Sequence, residues 1–205
     1  MIIAVDGPAA SGKGTIARAL AAHFGLPYMD TGLLYRATAL NLLELGGDPE
    51  SEFAAARATE LSQINFEDPE LKSETVGGIA SRISTYPLVR DALLERQRRF
   101  AGQAGGAVLD GRDIGTVIAP EAGAKLFVTA RPEIRAQRRY AELKARGLDV
   151  HYADVLADIH ARDERDIGRA AAPLLMARDA ALIDTSDMDA AEAIAAAVAA
   201  VEARR

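Results

Sequence analysis

The chain has no cysteine, so neither a disulfide framework nor a thiolate metal site is open to it. Its three histidines, His23, His151 and His160, have neither metal-ligand nor triad spacing and read as structural or solvent-facing. No apolar run approaches a membrane span, and the alanine-rich tail is broken by Asp189, Glu192 and Glu202. The first apolar run begins at Ile2, which leaves no space for a secretory leader. Positive charge is in deficit as well. With 24 Lys and Arg against 30 Asp and Glu, the net charge of −6 argues against a general nucleic-acid-binding surface, and any anion must be recognised by local clusters. There is no internal repeat and no linker between two full domains. The expectation is one cytoplasmic domain over residues 1–205, monomeric because nothing requires a second subunit, without a membrane or nucleic-acid partner. Its 49% hydrophobic content suffices for a substantial core.

What is present begins at once. Ile2 to Val5 reads as a short buried strand, and Gly7-Pro8-Ala9-Ala10-Ser11-Gly12-Lys13-Gly14-Thr15 leads from it into an apolar-periodic helix. Strand, glycine loop and helix with a lysine at its start is the phosphate-binding pattern G-x-x-x-x-G-K. Glycines let backbone N–H groups crowd a polyphosphate, and the helix N-terminus adds unpaired donors and a positive dipole end. Lys13 supplies a full charge where β- and γ-phosphates would lie. The general pattern places Ser or Thr directly after the lysine, to hold Mg²⁺; here Gly14 takes that place and the hydroxyl comes at Thr15.

Further along, the pattern predicts helices over about 13–24, 33–45 and 50–62, with Asp30 or Thr31 as N-cap of the second. Residues 63–72 look irregular, and Gly77-Gly78 weakens the helical signal over 73–85, whereas 87–100 is strongly helical. Strands are expected at 107–109, 125–130 and 181–184, with helices near 132–146, 153–169 and 190–203. Short apolar strands alternating with helices predict an α/β fold: a P-loop NTPase-type parallel sheet flanked by helices on both faces. Ligands belong at the carboxyl ends of its strands.

Three constellations fall there. Asp30 to Arg36 (DTGLLYR) offers Thr31 and Arg36 to a hydroxyl or phosphate. Asp110 to Asp113 (DGRD) ends a buried strand with two carboxylates and an arginine, making Asp110 a candidate for Mg²⁺ through water and Arg112 a planar fork for phosphate. Arg131, Arg135, Arg138 and Arg139 lie near one helix face, and Arg162, Asp166 and Arg169 repeat the spacing on the next helix. Two such faces joined by a loop containing Gly147 suggest a lid closing over phosphates and excluding water. Arg146 and Arg165 read as solvated.

In order along nearly the whole chain, GPAASGKGT, DTGLLYR, YPLVRDALLERQR, DGRDIGT, ARDERDIGRAAAPL and DAALIDTS resemble the bacterial cytidylate kinase family. The resemblance implies transfer of the γ-phosphoryl of ATP to CMP or dCMP, with Mg²⁺. It implies that residues 7 to 15 bind ATP and that Lys13, Arg112, Arg138 and Arg139 stabilise the transferring group. Thr31, Arg36, Ser81, Arg90, Asp113, Arg162, Asp166 and Arg169 match positions around the monophosphate substrate. A monophosphate-binding segment at about 31–100 and a lid at about 131–169 are implied too. One region departs: the family's extended, strand-rich insert has little room between Asn65 and Ser81. The readings left beside this one are another acceptor, such as UMP or AMP, and a nucleotide-dependent switch. The switch would want a guanine-selecting N-K-x-D sequence, which the chain lacks.

Overall fold

The computed structural model describes residues 1–204; Arg205 lies outside the described residues. In chain order the strands are β1 (Ile2–Asp6), β2 (Tyr28–Asp30), β3 (Ala107–Gly111), β4 (Ala124–Thr129) and β5 (Ala181–Asp184). The helices are α1 (Lys13–Phe24), α2 (Thr31–Glu44), α3 (Glu52–Arg57), α4 (Glu74–Ile83), α5 (Pro87–Ala101), α6 (Pro132–Ala145), α7 (Tyr152–Gly168) and α8 (Ala190–Glu202). A 3₁₀ turn, Pro69–Lys72, precedes α4, and a π-helical turn, Ile114–Ile118, follows β3. All strand pairs are parallel, in the order β2-β3-β1-β4-β5.

The apolar strands alternate in pairs of faces because side chains repeat every two residues. Ile3, Val5, Val108, Leu126 and Val128 pack against α1 and α8 through Ile16, Leu20, Ala197 and Val201. Ala4, Ala107 and Leu109 face the other way, toward Ala101 of α5 and Ile114 and Ile118 of the π-helical turn. Helices therefore cover both faces, as the short buried runs predict. Two smaller cores stand apart from the sheet. One joins α2, α3, α4 and α5 through residues such as Leu34, Leu42, Leu71, Ile83 and Leu93. The other joins α6 to α7 through Ala136, Leu143, Val155 and Ile159, and rests on Ala9.

Three boundaries differ from the sequence pattern, each for a local reason. Helix α2 starts at Thr31, because the Asp30 carboxylate caps it by accepting the Leu33 N–H at 3.2 Å. Helix α3 stops at Arg57, not 62, since the Asn41 side-chain amide donates to the carbonyls of Ala58 and Glu60 at 2.9 and 3.0 Å. Helix α4 runs through Gly77-Gly78 regardless, with Val76, Ala80 and Ile83 buried on one side. A Cβ at Gly77 would lie 2.9 Å from a guanidinium nitrogen of Arg36, so the glycine makes room for that arginine. Between α2 and α5 the chain is helical or irregular, without strands.

Gly7 shows how tightly the strand ends pack. Its φ is 154°, and a Cβ there would lie 2.0 Å from the Val128 carbonyl oxygen on the adjacent strand. Gly7→Ala is expected to lower the unfolding free energy by about 2 kcal/mol or more, read from its denaturant midpoint. A midpoint equal to that of the parent chain would mean that β4 yields without cost.

Candidate active site

Every strand ends in a group that can meet a ligand: Asp6, Asp30, Asp110-Gly111, Thr129 and Asp184, at one edge of the sheet. The loop from Gly7 to Gly12 turns over that edge with Ala10 at φ 59° and Gly12 at φ 89°, both left-handed. Gly12 caps α1 without a side-chain hydrogen bond, so the first N–H groups of the helix remain open to an anion. The Lys13 ammonium donates to the Pro8 carbonyl at 3.3 Å, inside the loop. Burial, with Arg112 nearby, pushes Lys13 down to about 8. An arriving phosphate favours the charged form and would raise it again.

Above the loop lies a cleft of about 390 Å³. It gathers Ala9, Ala10, Gly12, Lys13, Gly14 and Thr15 with Thr31, Arg36, Ser81, Arg90, Asp110, Arg112, Asp113, Arg139, Arg162, Asp166 and Arg169. Of the sequence-expected residues, Gly7, Pro8, Ser11 and Arg138 do not line it. Arg138 donates to the Thr185 hydroxyl at 2.9 Å and carbonyl at 2.6 Å, and with Ser11 lines a second cavity of about 300 Å³.

The arginines do not form one face. Arg131 turns outward to Asp187, and buried Arg135 forks onto Asp163 at 2.9 and 2.6 Å while donating to the Ala130 and Ala9 carbonyls. Spacing along α6 put them together, but its long side chains reach separate partners on neighbouring elements. Arg139 pairs with Glu74 and Glu142, and so spans from α6 to the start of α4.

Inside the cleft, carboxylates are rationed. Arg90 pairs with Asp113, which also accepts from Arg169 at 3.4 Å. Arg112 donates from Nε to Asp166 at 2.6 Å; burial opposes ionisation of Asp166, yet Arg112 holds it below its ordinary range. Among the described residues Arg36 donates to the carbonyls of Leu71 and Ser73, at 2.8 and 3.3 Å, and to no carboxylate. Arg162 has no hydrogen bond or ion pair to any described residue. Burial, then the guanidiniums of Arg112 and Arg36, push it down to about 10. A half-buried guanidinium without a paired carboxylate, among other cations, is a seat for an anion.

The sequence reading missed Tyr28, Arg18 and Arg165, and it named Thr31 without its anchoring role. Tyr28 donates its hydroxyl to Asp110 at 2.7 Å, and the Arg18 guanidinium lies 5.8 Å from the Tyr28 ring centre. Arg165, read as solvated, donates to the Ser81 hydroxyl at 3.2 Å. Thr31 spends its hydroxyl on the Asp110 carbonyl at 2.8 Å, tying α2 to β3. The alternation of Tyr28 and Asp30 on a strand could have flagged the first; nothing local signals the other two.

The fold and this cleft define a P-loop phosphotransferase of the nucleotide-kinase class. The cytidylate kinase family model matches residues 3–203. Proteins named cytidylate kinase from Xanthobacter autotrophicus and Methylocella silvestris are 59% and 57% identical, the first over 100% of this chain and 99% of the relative, the second over 98% and 94%. Another from Rhodopseudomonas palustris is 55% identical over 100% of this chain and 97% of its own length. The chain belongs to the cytidylate kinase family. Two solved structures share its fold. One is an uncharacterized protein of Eubacterium ventriosum (TM-score 0.58, 15% identity, 100% of this chain and 99% of that one). The other is a Thermus thermophilus protein (TM-score 0.50, 24% identity, 99% and 96%). The match with the Xanthobacter relative spans 206 residues and nearly all of both chains, so that relative has no long insert either.

Asp110 generates a test. Burial, then the Asp30 charge, raise it from 3.8 to about 6. The native protein thus keeps a proton that the unfolded chain has released, and the stability this gives is lost as pH rises through about 6. Asp110→Asn keeps an oxygen for Tyr28 and has no charge to bury. It should be more stable than the parent chain by on the order of 1–3 kcal/mol near pH 7.5, with the difference closing below about pH 4. Thermal unfolding across that range checks it; a pH-independent difference would remove Asp110 as the cause.

Proposed function

We propose that this chain transfers the γ-phosphoryl group of ATP to CMP or dCMP, giving ADP and CDP or dCDP, within pyrimidine nucleotide metabolism. The observation that carries the reading is the half-buried Arg162, unpaired among the described residues, with Arg36 and Arg112 around it, in the same cleft as the Lys13 loop. One anion seat suffices for a triphosphate alone; a second suits an acceptor that is itself a phosphate.

In this reading Gly7 to Thr15 hold the ATP phosphates, and Lys13, Arg112, Arg138 and Arg139 stabilise the transferring group. Positioning and charge neutralisation do the catalytic work, and no strong base is needed because the acceptor oxygen is already anionic. Thr31, Arg36, Arg162 and Asp166 serve the acceptor's phosphate and sugar. Ser81, Arg90, Asp113 and Arg169 offer both donors and acceptors, which suits cytosine's amino and carbonyl groups and leaves a mismatched base with unpaired buried partners.

Mg²⁺ fits the residues present. Asp110 Oδ2 faces the start of α1, 3.7 Å from where a Cβ on Gly14 would stand, and Tyr28 donates to the other oxygen. Asp110 would hold the ion through water, with Thr15 nearby, and most ligands would come from phosphate and solvent, as this cation prefers. When bound, Mg²⁺ neutralises charge on the phosphates.

The segment at 31–100 and the lid at 131–169 each have a small core of their own, which supports their moving as units against the sheet. The same reading makes the chain a cytoplasmic monomer acting on small molecules, without a nucleic-acid partner. Its net charge of −6 supports the last point. No helix among the described residues is long and apolar enough to cross a membrane.

Coupled ADP production with ATP-Mg²⁺ and each of CMP, dCMP, UMP and AMP tests the acceptor. Clear preference for the cytidine monophosphates is expected; UMP or AMP turned over far faster would overturn it, and slow hydrolysis with no acceptor would favour a switch. Lys13→Ala should cut turnover by about a hundredfold or more without lowering the melting temperature. Arg90→Ala should raise the KM for CMP by about tenfold or more and leave that for ATP unchanged. An effect confined to ATP would put Arg90 at the wrong site.

A further inference from the structure

Asp6 ends β1 directly before the phosphate loop, is only 4% exposed, and has no ion-pair partner among the described residues. Its two carboxylate oxygens each accept one backbone N–H, from Ile114 and from Gly115, both at 2.8 Å. These residues open the π-helical turn and immediately follow Arg112 and Asp113, which line the cleft. The Asp113 carbonyl closes the same turn by accepting the Val117 and Ile118 N–H groups at 2.9 and 3.1 Å.

The turn packs closely against Asp6 and Lys125. A Cβ on Gly115 would lie 3.1 Å from Lys125 Cδ and 3.4 Å from Asp6 Oδ2. The Lys125 ammonium is drawn away to Asp179 at 2.9 Å, so the two amides are left as the direct partners of the Asp6 charge. A buried carboxylate without a cation is costly to keep. Its sequence neighbour Gly7 starts the donor loop, while its hydrogen bonds end on the strand-to-turn segment that presents the acceptor groups. One side chain thus joins the two halves of the cleft.

We propose that Asp6 is a positioning residue: by fixing the backbone of Ile114 and Gly115 it sets the direction of Arg112 and Asp113, and so where the monophosphate is held relative to the donor loop. This rests on the reading of the acceptor site given above. Asp6 touches neither substrate and acts through the turn.

Asp6→Asn keeps the shape and one acceptor oxygen but turns an NH₂ toward the other amide. The expected result is a fall of about ten- to hundredfold in kcat/KM for CMP, shared between a higher KM (through Asp113) and a lower kcat (through Arg112), with the KM for ATP within about twofold of the parent enzyme. Amide exchange at Ile114 and Gly115 should accelerate alongside. Faster exchange with an unchanged KM for CMP would reduce Asp6 to a structural role and overturn the proposal. Equal losses toward ATP and CMP would overturn it too, as general damage to the cleft. If the Asn variant does not fold, Gly115→Ala crowds the same turn against Asp6 and Lys125 and must show the same acceptor-selective loss; intact CMP kinetics there would refute the idea. A parent enzyme inactive with CMP would instead fail the functional reading, and the comparison is then made with whichever monophosphate it turns over.

Discussion

The structure is organised by a shortage of carboxylate. Lys13, Arg36, Arg90, Arg112, Arg139, Arg162 and Arg169 converge on one cleft, where Asp113, Asp166 and Glu142 are the carboxylates paired with arginine. Holding cations together out of water costs several kcal/mol per ion when the geometry leaves them uncompensated. The interior cannot supply that from the cleft itself. It comes from the sheet core between α1 and α8 and from the two smaller cores, none of which includes a cleft arginine. Stability is placed in apolar layers so that the ligand site can remain electrostatically unsatisfied.

The distribution of the acids then sorts the arginines by task. Those fixed by a carboxylate are held in direction: Arg135 by Asp163, Arg112 by Asp166, Arg90 and Arg169 by Asp113. Arg36 and Arg162 pair with none among the described residues, and burial lowers both from their ordinary values. A fixed guanidinium suits planar recognition, while an uncompensated one contributes most to charge stabilisation when an anion enters. Preorganisation of this kind requires no rearrangement of the scaffold at the moment of transfer. On the proposed reading only the two units with their own cores approach each other, and Arg139 already reaches from one to Glu74 of the other.

The part of this arrangement legible in the sequence is the part set by neighbours along the chain. The loop from Gly7 to Thr15 declares itself because glycine spacing, strand and helix are contiguous. The strands do so because buried parallel strands are short apolar runs. The arginine directions were not legible. Arg131, Arg135, Arg138 and Arg139 share a spacing, but their partners Asp187, Asp163, Thr185 and Glu74 lie 28 to 65 residues away. The same distance hid Asp6, whose partners stand 108 and 109 residues on. Helix α4 was obscured for the opposite reason: glycine lowers local propensity, yet burial of Val76, Ala80 and Ile83 outweighs about 1 kcal/mol per glycine.

The compact segment between α2 and α5 follows the same logic. Without an insert of strands, the groups proposed to meet the base must be steadied from helices, and the contacts supply that. Ser81 on α4 accepts from Arg165 on α7, and Arg90 on α5 is fixed by Asp113 after β3. Gly77 lets Arg36 of α2 lie against α4, where it donates to the carbonyls of Leu71 and Ser73. Each anchor runs to an element with its own core, so a strand-rich insert is not needed to hold these side chains in place. On the proposed reading, base discrimination resides in the Ser81–Arg165 and Arg90–Asp113 contacts, and the length of the segment is free to vary around them.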